Sequence, residues 1–167
     1  VKPTVYAALT VDWPKEKLNV YILDDGSRKE FKDFACEVGA GYIEREEHKH
    51  AKAGNINHAM GITKGDFIAI FDCDHVPVKT FLQKTMGWFL KDEKIALVQT
   101  PHHFYSQDPF EKNLHLKENV PNENSLFHDF IQKGNDTWNA TMFCGSCAVM
   151  RRKALEEVGG IAVETVT

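Results

Sequence analysis

Short apolar stretches alternate with amphipathic segments along the first hundred residues, and this alternation constrains the fold more than any other feature. The stretches predicted as strands cover residues 18–23, 41–44, 66–71 and 95–99. Between them, apolar residues recur at helical spacing and predict three helices, which lie near 27–38, 52–64 and 79–90. Strands that alternate with helices of this length favour an α/β fold, with a mostly parallel sheet flanked by helices.

Local signals set some of these boundaries. Ser27 and Glu30 have the spacing of a capping box at the start of the first helix, and Gly39 is placed to end it. The run Asp66 to Phe71 has no polar face, which is typical of a strand buried on both sides.

The pattern weakens after residue 105. Helices are predicted over 108–116 and 124–133, a strand within 142–150 and a short helix over 152–158. The apolar residues expected to anchor the helices over 108–116 and 124–133 are Phe110, Leu126, Phe127, Phe130 and Ile131.

Length and composition describe one ordinary globular domain. The chain has 167 residues, 43% hydrophobic and 26% charged, with a formal net charge of −4. There is no basic excess of the kind that binds nucleic acid. The longest apolar runs fall far short of the roughly 20 residues that a membrane-spanning helix needs. Any membrane contact is therefore expected only through regions outside this chain.

Four polar clusters follow the predicted strands. They are Asp24-Asp25, the loop His48–Gly54, Asp72–His75 and Gln99–His103. In open α/β sheets, ligands bind beyond the carboxyl ends of the strands. One shared site at that edge explains all four clusters.

Asp72 and Asp74 are the best candidates for holding a metal in this site. They lie one residue apart after a strand, so both side chains can project to the same side. Two hard oxygen ligands suit Mg²⁺ or Mn²⁺ and leave coordination positions for phosphate oxygens. His75 is placed to add a metal or phosphate contact. The alternative is an acidic loop that caps the helix near Val78.

Asp24, Asp25 and Lys52 complete a possible nucleotide site. Ionised carboxylates accept hydrogen bonds and can read a base N–H or ribose hydroxyls, although Asp-Asp-Gly is also good turn chemistry. Lys52 lies near a predicted helix N-terminus, where backbone amides and an ammonium can bind a diphosphate. A solvated surface lysine is the other interpretation. A nucleoside diphosphate bridged by a cation needs these three functions together.

Two other metal or redox patterns are less convincing. Cys144 and Cys147 form a C-x-x-C, but no second pair accompanies them, and a redox dithiol would open the first helix of a βαβ unit. His48, His50 and His58 lack a carboxylate or cysteine to complete an obvious zinc site.

Six ordered motifs resemble the catalytic subunits of bacterial cellulose synthases, which are processive family 2 glycosyltransferases. The resemblance covers essentially the whole chain. The motifs are Asp-Asp-Gly at 24–26, His-Ala-Lys-Ala-Gly-Asn at 50–55, Phe-Asp-Cys-Asp-His at 71–75, Gln-Thr-Pro-His-His-Phe at 99–104, Phe-Cys-Gly-Ser-Cys-Ala-Val at 143–149 and Gly-Gly-Ile-Ala-Val-Glu-Thr-Val-Thr at 159–167.

The resemblance implies a single partial GT-A-type (Rossmann-like) domain over 1–167, truncated at both ends. Its nucleotide-binding half is expected over about 1–105 and its acceptor side over about 106–167. The implied activity is UDP-forming transfer of glucose from UDP-glucose to the 4-hydroxyl of a growing β-1,4-glucan, with inversion. The family also implies a bacterial inner membrane location with this domain on the cytoplasmic side. A periplasmic membrane-anchored subunit is the implied partner, and a domain outside this chain would sense cyclic-di-GMP.

The resemblance assigns roles residue by residue. The implied substrate-binding residues are Asp24, Asp25, Lys52, Asp72, Asp74, Phe143, Cys144 and Gly145. Asp24 and Asp25 would face the uridine, with Asp25 the essential, catalytic acid. Lys52 would contact the diphosphate, and Phe143 to Gly145 would lie near the acceptor sugar. Mg²⁺, or Mn²⁺, would be held by Asp72 and Asp74, with His75 as a further ligand.

One departure limits the activity expected of the chain by itself. The family's general base is an Asp in a Thr-Glu-Asp motif, and that motif would begin at Thr167. We therefore expect no polymerase activity from the isolated chain.

Three other functions remain open. The chain could belong to another UDP-sugar-using synthase, for chitin, hyaluronan or a different glucan, with similar motifs. Asp72 to Val76 also fits the opening motif of haloacid dehalogenase-type phosphohydrolases, in which the first Asp is a nucleophile, but no second acid pair follows it. The third alternative is a sugar-nucleotide-binding module that has lost catalysis.

Overall fold

The computed structural model describes residues 1–103, 113 and 126–164. The helices are α1 Lys2–Leu9, α2 Lys29–Val38, α3 Ala51–Ile62, α4 Phe81–Lys91, a π-helix Leu126–Gln132, α5 Lys133–Thr137 and α6 Arg152–Glu157. The strands are β1 Tyr21–Leu23, β2 Gly41–Ile43, β3 Phe67–Ile70, β4 Leu97–Gln99 and β5 Ala148–Arg151. Each predicted strand is present, although all are shorter than the sequence pattern suggested.

The strands form two groups with different pairing. β1 and β2 pair in parallel, with Tyr21 opposite Gly41. In the second group β5 lies between β3 and β4 and is antiparallel to both. β3 and β4 therefore run in the same direction, as a strand–helix–strand unit requires, and the α/β class is confirmed. The antiparallel insertion of β5 was not predicted.

Three apolar clusters fix the helices against the strands. Helix α4 packs Phe81, Leu82 and Phe89 onto the fully buried Val149 of β5. Other clusters join α2 to β1 through Phe34 and Ile22, and α3 to β3 and β5 through Ile56, Ile70 and Met150. These contacts orient the strand ends from which the site is built.

Strand β3 is less buried than its sequence predicted. Ile70 is buried, Phe67 and Ile68 are half-buried, and Ala69 is exposed. β3 lies at the end of the strand order β3-β5-β4, so it has a sheet neighbour on one side in the described region.

The predicted capping box at Ser27 is wrong. Helix α2 begins at Lys29, its N-cap residue is Arg28, and no side chain caps it. The preceding turn is closed instead by Asp24, whose carboxylate accepts hydrogen bonds from the backbone amides of Gly26 and Arg28. The predicted end is confirmed, because Gly39 adopts a left-handed conformation with φ of 74°.

The helix predicted over 124–133 is confirmed in part, but three of its anchors are wrong, and the fourth, Phe127, is half-buried. Leu126, Phe130 and Ile131 are exposed, whereas His128 and Gln132 are buried. A π-helix has a longer repeat than an α-helix, so the face expected from α-helical spacing is not the one that packs inward. The helix predicted over 108–116 and its anchor Phe110 fall outside the described residues, apart from Asn113.

No helix in the described ranges has both the length and the apolar character needed to cross a bilayer.

Candidate functional site

Lys52 joins the three segments that form the site. Its ammonium donates to the carboxylate of Asp72 and to the backbone carbonyl of Gly145. Lys52 lies in the first turn of α3, Asp72 follows β3, and Gly145 precedes β5. The predicted convergence of polar residues at one edge of the fold is therefore present.

Asp72, Asp74 and His75 form a compact group of potential metal ligands. One ligand atom from each lies within 4.8 Å of the other two. The loop is shaped by a hydrogen bond from the His75 amide to the Asp72 carbonyl at 3.0 Å, and Thr4 anchors it through the Cys73 carbonyl at 2.9 Å. Two carboxylates and an imidazole fit a divalent cation. In the described part of the chain this is the one such group.

Ser146 is buried beneath this loop and was missed by the sequence reasoning. Its Oγ accepts a hydrogen bond from the Asp72 amide at 2.8 Å and lies 2.7 Å from Nδ1 of His75. Its carbonyl accepts from Gln99 Nε2 at 2.9 Å and bonds to His102 Nε2 at 3.0 Å. The loop before β5 is thereby tied to the metal-ligand loop and to the chain after β4.

Asp25 lies at the same edge and is paired with a residue that the sequence reasoning also missed. Arg45 donates to both carboxylate oxygens of Asp25 and to the carbonyls of Lys49 and Ala51. The side-chain hydrogen bonds from Arg45 hold the pKa of the Asp25 carboxyl below its ordinary value. Asp25 keeps 33% of its side-chain surface exposed, while Arg45 is buried. A bound molecule can therefore still reach this carboxylate.

Asp24 has a different environment. Its carboxylate is fully buried and accepts hydrogen bonds from the Gly26 and Arg28 amides, the Arg28 guanidinium and the Tyr42 hydroxyl. Burial alone would raise the pKa of Asp24, but these donors together hold it well below its ordinary value. For Tyr42, burial and the bond to Asp24 raise the pKa to about 12. These contacts give Asp24 a structural role in the turn, and its contact with a uridine stays a prediction.

Phe143, Cys144 and Gly145 lie beside Lys52. The Cys144 amide donates to Gln99 Oε1 at 2.9 Å, and Gly145 has a φ of 83°, a left-handed conformation that favours glycine. All three residues line a cavity of about 730 Å³ that extends from Lys52 across Ile56 and other apolar side chains.

The cysteine thiols next to the site are not activated. Cys144 and Cys147 are both free, and burial raises the pKa of each thiol. A nucleophilic cysteine has the opposite shift, so neither thiol has the environment of a reactive cysteine.

A family model described as "Glycosyl transferase family 2" matches residues 1–159. The chain belongs to glycosyl transferase family 2.

Curated relatives of this family 2 glycosyltransferase chain carry cellulose synthase names. It is 59% identical over 167 residues to the "Cellulose synthase catalytic subunit [UDP-forming]" of Pseudomonas fluorescens strain SBW25, covering all of this chain and 23% of that protein. It is 60% identical to the subunit of the same name from Xanthomonas axonopodis pv. citri, with the same coverage. It is 59% identical to "Cellulose synthase 1" of Komagataeibacter xylinus and covers 11% of that protein. The chain therefore spans a quarter or less of these relatives.

Solved structures confirm the GT-A fold. A mannosyltransferase from Pyrobaculum calidifontis in complex with GDP-mannose and Mn²⁺ matches with a TM-score of 0.65, at 18% identity over 99% of this chain and 44% of that one. A glucosyl-3-phosphoglycerate synthase from Mycobacterium tuberculosis, in complex with Mn²⁺, UDP-glucose and glycerol 3-phosphate, matches with a TM-score of 0.56. Its identity is 18%, over 91% of this chain and 53% of that one.

Some residues of this family 2 site had a sequence signal that went unused. Arg45 follows β2 at the same sheet edge as the other polar clusters, so its position alone made it a candidate. Ser146 lies inside the Cys144–Cys147 motif, in which the two cysteines are the stronger sequence signal. His128 packs against His102, and His102 packs against His75, with tilted rings whose centroids are 4.8 Å apart in each pair; no local pattern links these three.

Proposed function

We propose that this chain is the donor-binding part of a cellulose synthase catalytic subunit, which transfers glucose from UDP-glucose to the 4-hydroxyl of a β-1,4-glucan with inversion. The observation that carries the proposal is the bonded series from Asp25 through Arg45 and the start of α3 to Lys52 and Asp72. The sequence identity of 59% and 60% to relatives named as UDP-forming cellulose synthases supports glucose as the sugar.

The proposed roles follow from chemistry and exposure. Asp25 is the essential acid that accepts a hydrogen bond from the uridine, because its carboxylate is partly exposed and held ionised by Arg45. Asp24 supports it from the buried turn. Lys52 binds the diphosphate, exchanging its bond to Asp72 for phosphate oxygens when the donor arrives. Phe143, Cys144 and Gly145 face the acceptor side, and residues 1–105 form the nucleotide-binding half.

Asp72, Asp74 and His75 are proposed to hold the cation, Mg²⁺ or Mn²⁺. A divalent cation there supplies positive charge that offsets the negative charge developing on the departing diphosphate. The chain's own contribution is to fix these ligands on a short loop beside Lys52.

Cellulose synthesis also implies partners and a location for the full-length protein. We place it in the bacterial inner membrane, with this domain on the cytoplasmic side and a periplasmic membrane-anchored subunit as partner. Cyclic-di-GMP would act through another domain.

The test is donor discrimination by the full-length protein. UDP-glucose, UDP-N-acetylglucosamine and UDP-glucuronic acid are each supplied with Mg²⁺, with Mn²⁺ or with chelator, and the product is digested with a β-1,4-glucanase. We expect that UDP-glucose is the one donor of the three that yields polymer, that the polymer forms only with a divalent metal, and that the β-1,4-glucanase degrades it. Polymer from another donor would show that a different synthase activity resides here, and phosphate release without glycosyl transfer would favour the phosphohydrolase.

A further inference from the structure

We propose that Ser146 is a positioning residue of the metal centre: its hydroxyl holds the Asp72 backbone and fixes His75 with the proton on Nδ1, so that Nε2 is the nitrogen offered to the cation. The proposal rests on the metal site proposed above. It adds Ser146, to which no sequence motif gave a role in that site.

The geometry around the hydroxyl limits what it can do. A serine oxygen has one proton to donate and two lone pairs to accept with. One lone pair is used by the Asp72 amide at 2.8 Å, and His75 Nδ1 lies at 2.7 Å. Cys147 Sγ lies at 3.7 Å and can either donate or accept.

Two hydrogen-bond arrangements satisfy these contacts. In the first, His75 Nδ1–H donates to Ser146, and Ser146 donates to the Cys147 sulfur. In the second, Cys147 donates to Ser146, and Ser146 donates to a bare Nδ1. The second puts the ring proton on Nε2 and removes His75 as a metal ligand.

The first arrangement is the one that leaves Nε2 free for a cation. Metal-binding histidines usually donate their second ring N–H to an oxygen partner, which fixes the tautomer and the ring orientation. Ser146 Oγ, 2.7 Å from Nδ1, is that partner here, and Oδ2 of Asp72 lies farther away, at 3.8 Å.

Ser146 is itself held rigidly. It is fully buried, its carbonyl bonds to the Gln99 and His102 side chains, and the next amide, that of Cys147, donates to the Ile70 carbonyl at 2.7 Å. A hydroxyl on so constrained a backbone can fix the position of its two partners. Losing it would free both the Asp72 amide and the His75 ring.

The test measures metal binding and its ligands in the full-length protein, using Mn²⁺ and UDP. Mn²⁺ affinity is titrated by electron paramagnetic resonance, and electron spin echo modulation reports a directly bound histidine nitrogen. Wild type, Ser146→Ala and His75→Ala are compared. Thr85→Val is the control, because it removes another buried hydroxyl, in α4, whose partners Phe81 and Leu82 lie in the same helix.

We expect wild type and Thr85→Val to show the histidine nitrogen signal. Ser146→Ala should bind Mn²⁺ about 10- to 100-fold more weakly, the usual loss for an outer-shell partner, and should lose or reduce the signal. His75→Ala should lose the signal completely.

Two results would overturn the inference. A wild-type spectrum with Mn²⁺ and UDP bound but no histidine coupling would show that His75 does not offer Nε2 to the cation, whatever the folding of the variants. Unchanged Mn²⁺ affinity and coupling in Ser146→Ala would remove the positioning role. If both Ser146→Ala and Asp72→Asn bind Mn²⁺ as tightly as wild type does, the metal site itself is wrong, and not only the role of Ser146.

Discussion

Arg45 holds both carboxylate oxygens of Asp25, from Nε at 2.6 Å and from Nη2 at 2.7 Å. The same guanidinium donates to the backbone carbonyls of Lys49 and Ala51, which form the turn into α3. One buried side chain therefore sets the position of the acid proposed for the uridine and of the helix start that carries Lys52.

Replacing Arg45 with Ala should weaken UDP binding about tenfold. It should also lower the free energy of unfolding by about 2 kcal/mol, because the Lys49 and Ala51 carbonyls and the partly exposed Asp25 carboxylate lose their donor. Arg45→Lys should recover little, since an ammonium cannot reproduce a bidentate contact. Calorimetry and chemical denaturation measure the two effects. Lys32→Ala, which breaks an exposed pair with Glu44, is the control. An unchanged UDP affinity in Arg45→Ala would contradict the role of Arg45 in positioning Asp25 and the start of α3.

Gly54 should not tolerate a side chain. A Cβ at this position would lie 2.3 Å from the Lys49 carbonyl oxygen and 2.6 Å from Nη1 of Arg45. We expect Gly54→Ala to lower the free energy of unfolding by about 2 kcal/mol, as overpacking does, and to weaken UDP binding.

Gly61 gives a matched control in the same helix, because a Cβ there meets nothing within 4 Å. Gly61→Ala should stabilise the chain by about 0.5–1 kcal/mol. Equal effects of the two substitutions on thermal unfolding would rule out the close approach described for Gly54.

Removing the charge of Lys52 should have opposite effects on the cation and on the nucleotide. The Lys52 ammonium bonds to Asp72, so it opposes a cation at the same carboxylate. Lys52→Met should bind Mn²⁺ alone more tightly. It should bind Mn²⁺ with UDP about tenfold more weakly, which is the loss expected for one charge-assisted hydrogen bond. The control is Lys49→Met, which removes an exposed lysine in the preceding loop and should change neither affinity. If Lys52→Met changed the affinities for Mn²⁺ alone and for Mn²⁺ with UDP in the same direction, the proposed contact of Lys52 with the diphosphate would be contradicted.

Asp24 should contribute to stability in a pH-dependent way. Its donors hold the pKa of its carboxyl far below the unfolded value of about 3.9. A depressed pKa gives stability that is fully present above the unfolded value and is lost as pH falls toward the folded one. Asp24→Asn should therefore be less stable than wild type at neutral pH, with the difference shrinking below about pH 4. Asp33→Asn, which breaks an exposed pair with Lys29, should show no such convergence in denaturation curves.

The sequence supported the α/β class and the gathering of polar clusters because both depend on local patterns. Apolar stretches alternating with helical stripes locate β1 to β4, and strand ends locate the loops that follow them. The order β3-β5-β4 could not be obtained this way, because β5 pairs with strands about 50 and 80 residues before it and nothing in Ala148–Arg151 specifies a direction.

Side-chain roles were harder to predict than positions. Asp24 and Asp25 are neighbours with the same chemistry, yet one is buried among five donors and the other pairs with Arg45 across a loop. The exposed Leu126, Phe130 and Ile131 show a related difficulty, because their inward assignment assumed α-helical spacing where the chain forms a π-helix. These differences arise from tertiary contacts that a local pattern does not contain.

The most direct test of the metal-linked donor site is calorimetric titration of UDP into the full-length protein and its Asp72→Asn variant, with Mn²⁺ and with chelator. Asn keeps the volume of Asp and removes the ligand charge, and Asp33→Asn controls for charge alone. We predict that wild type and Asp33→Asn bind UDP more tightly with Mn²⁺ than with chelator, and that Asp72→Asn loses this metal dependence while staying folded. Metal-dependent UDP binding that survives in Asp72→Asn would contradict the central claim.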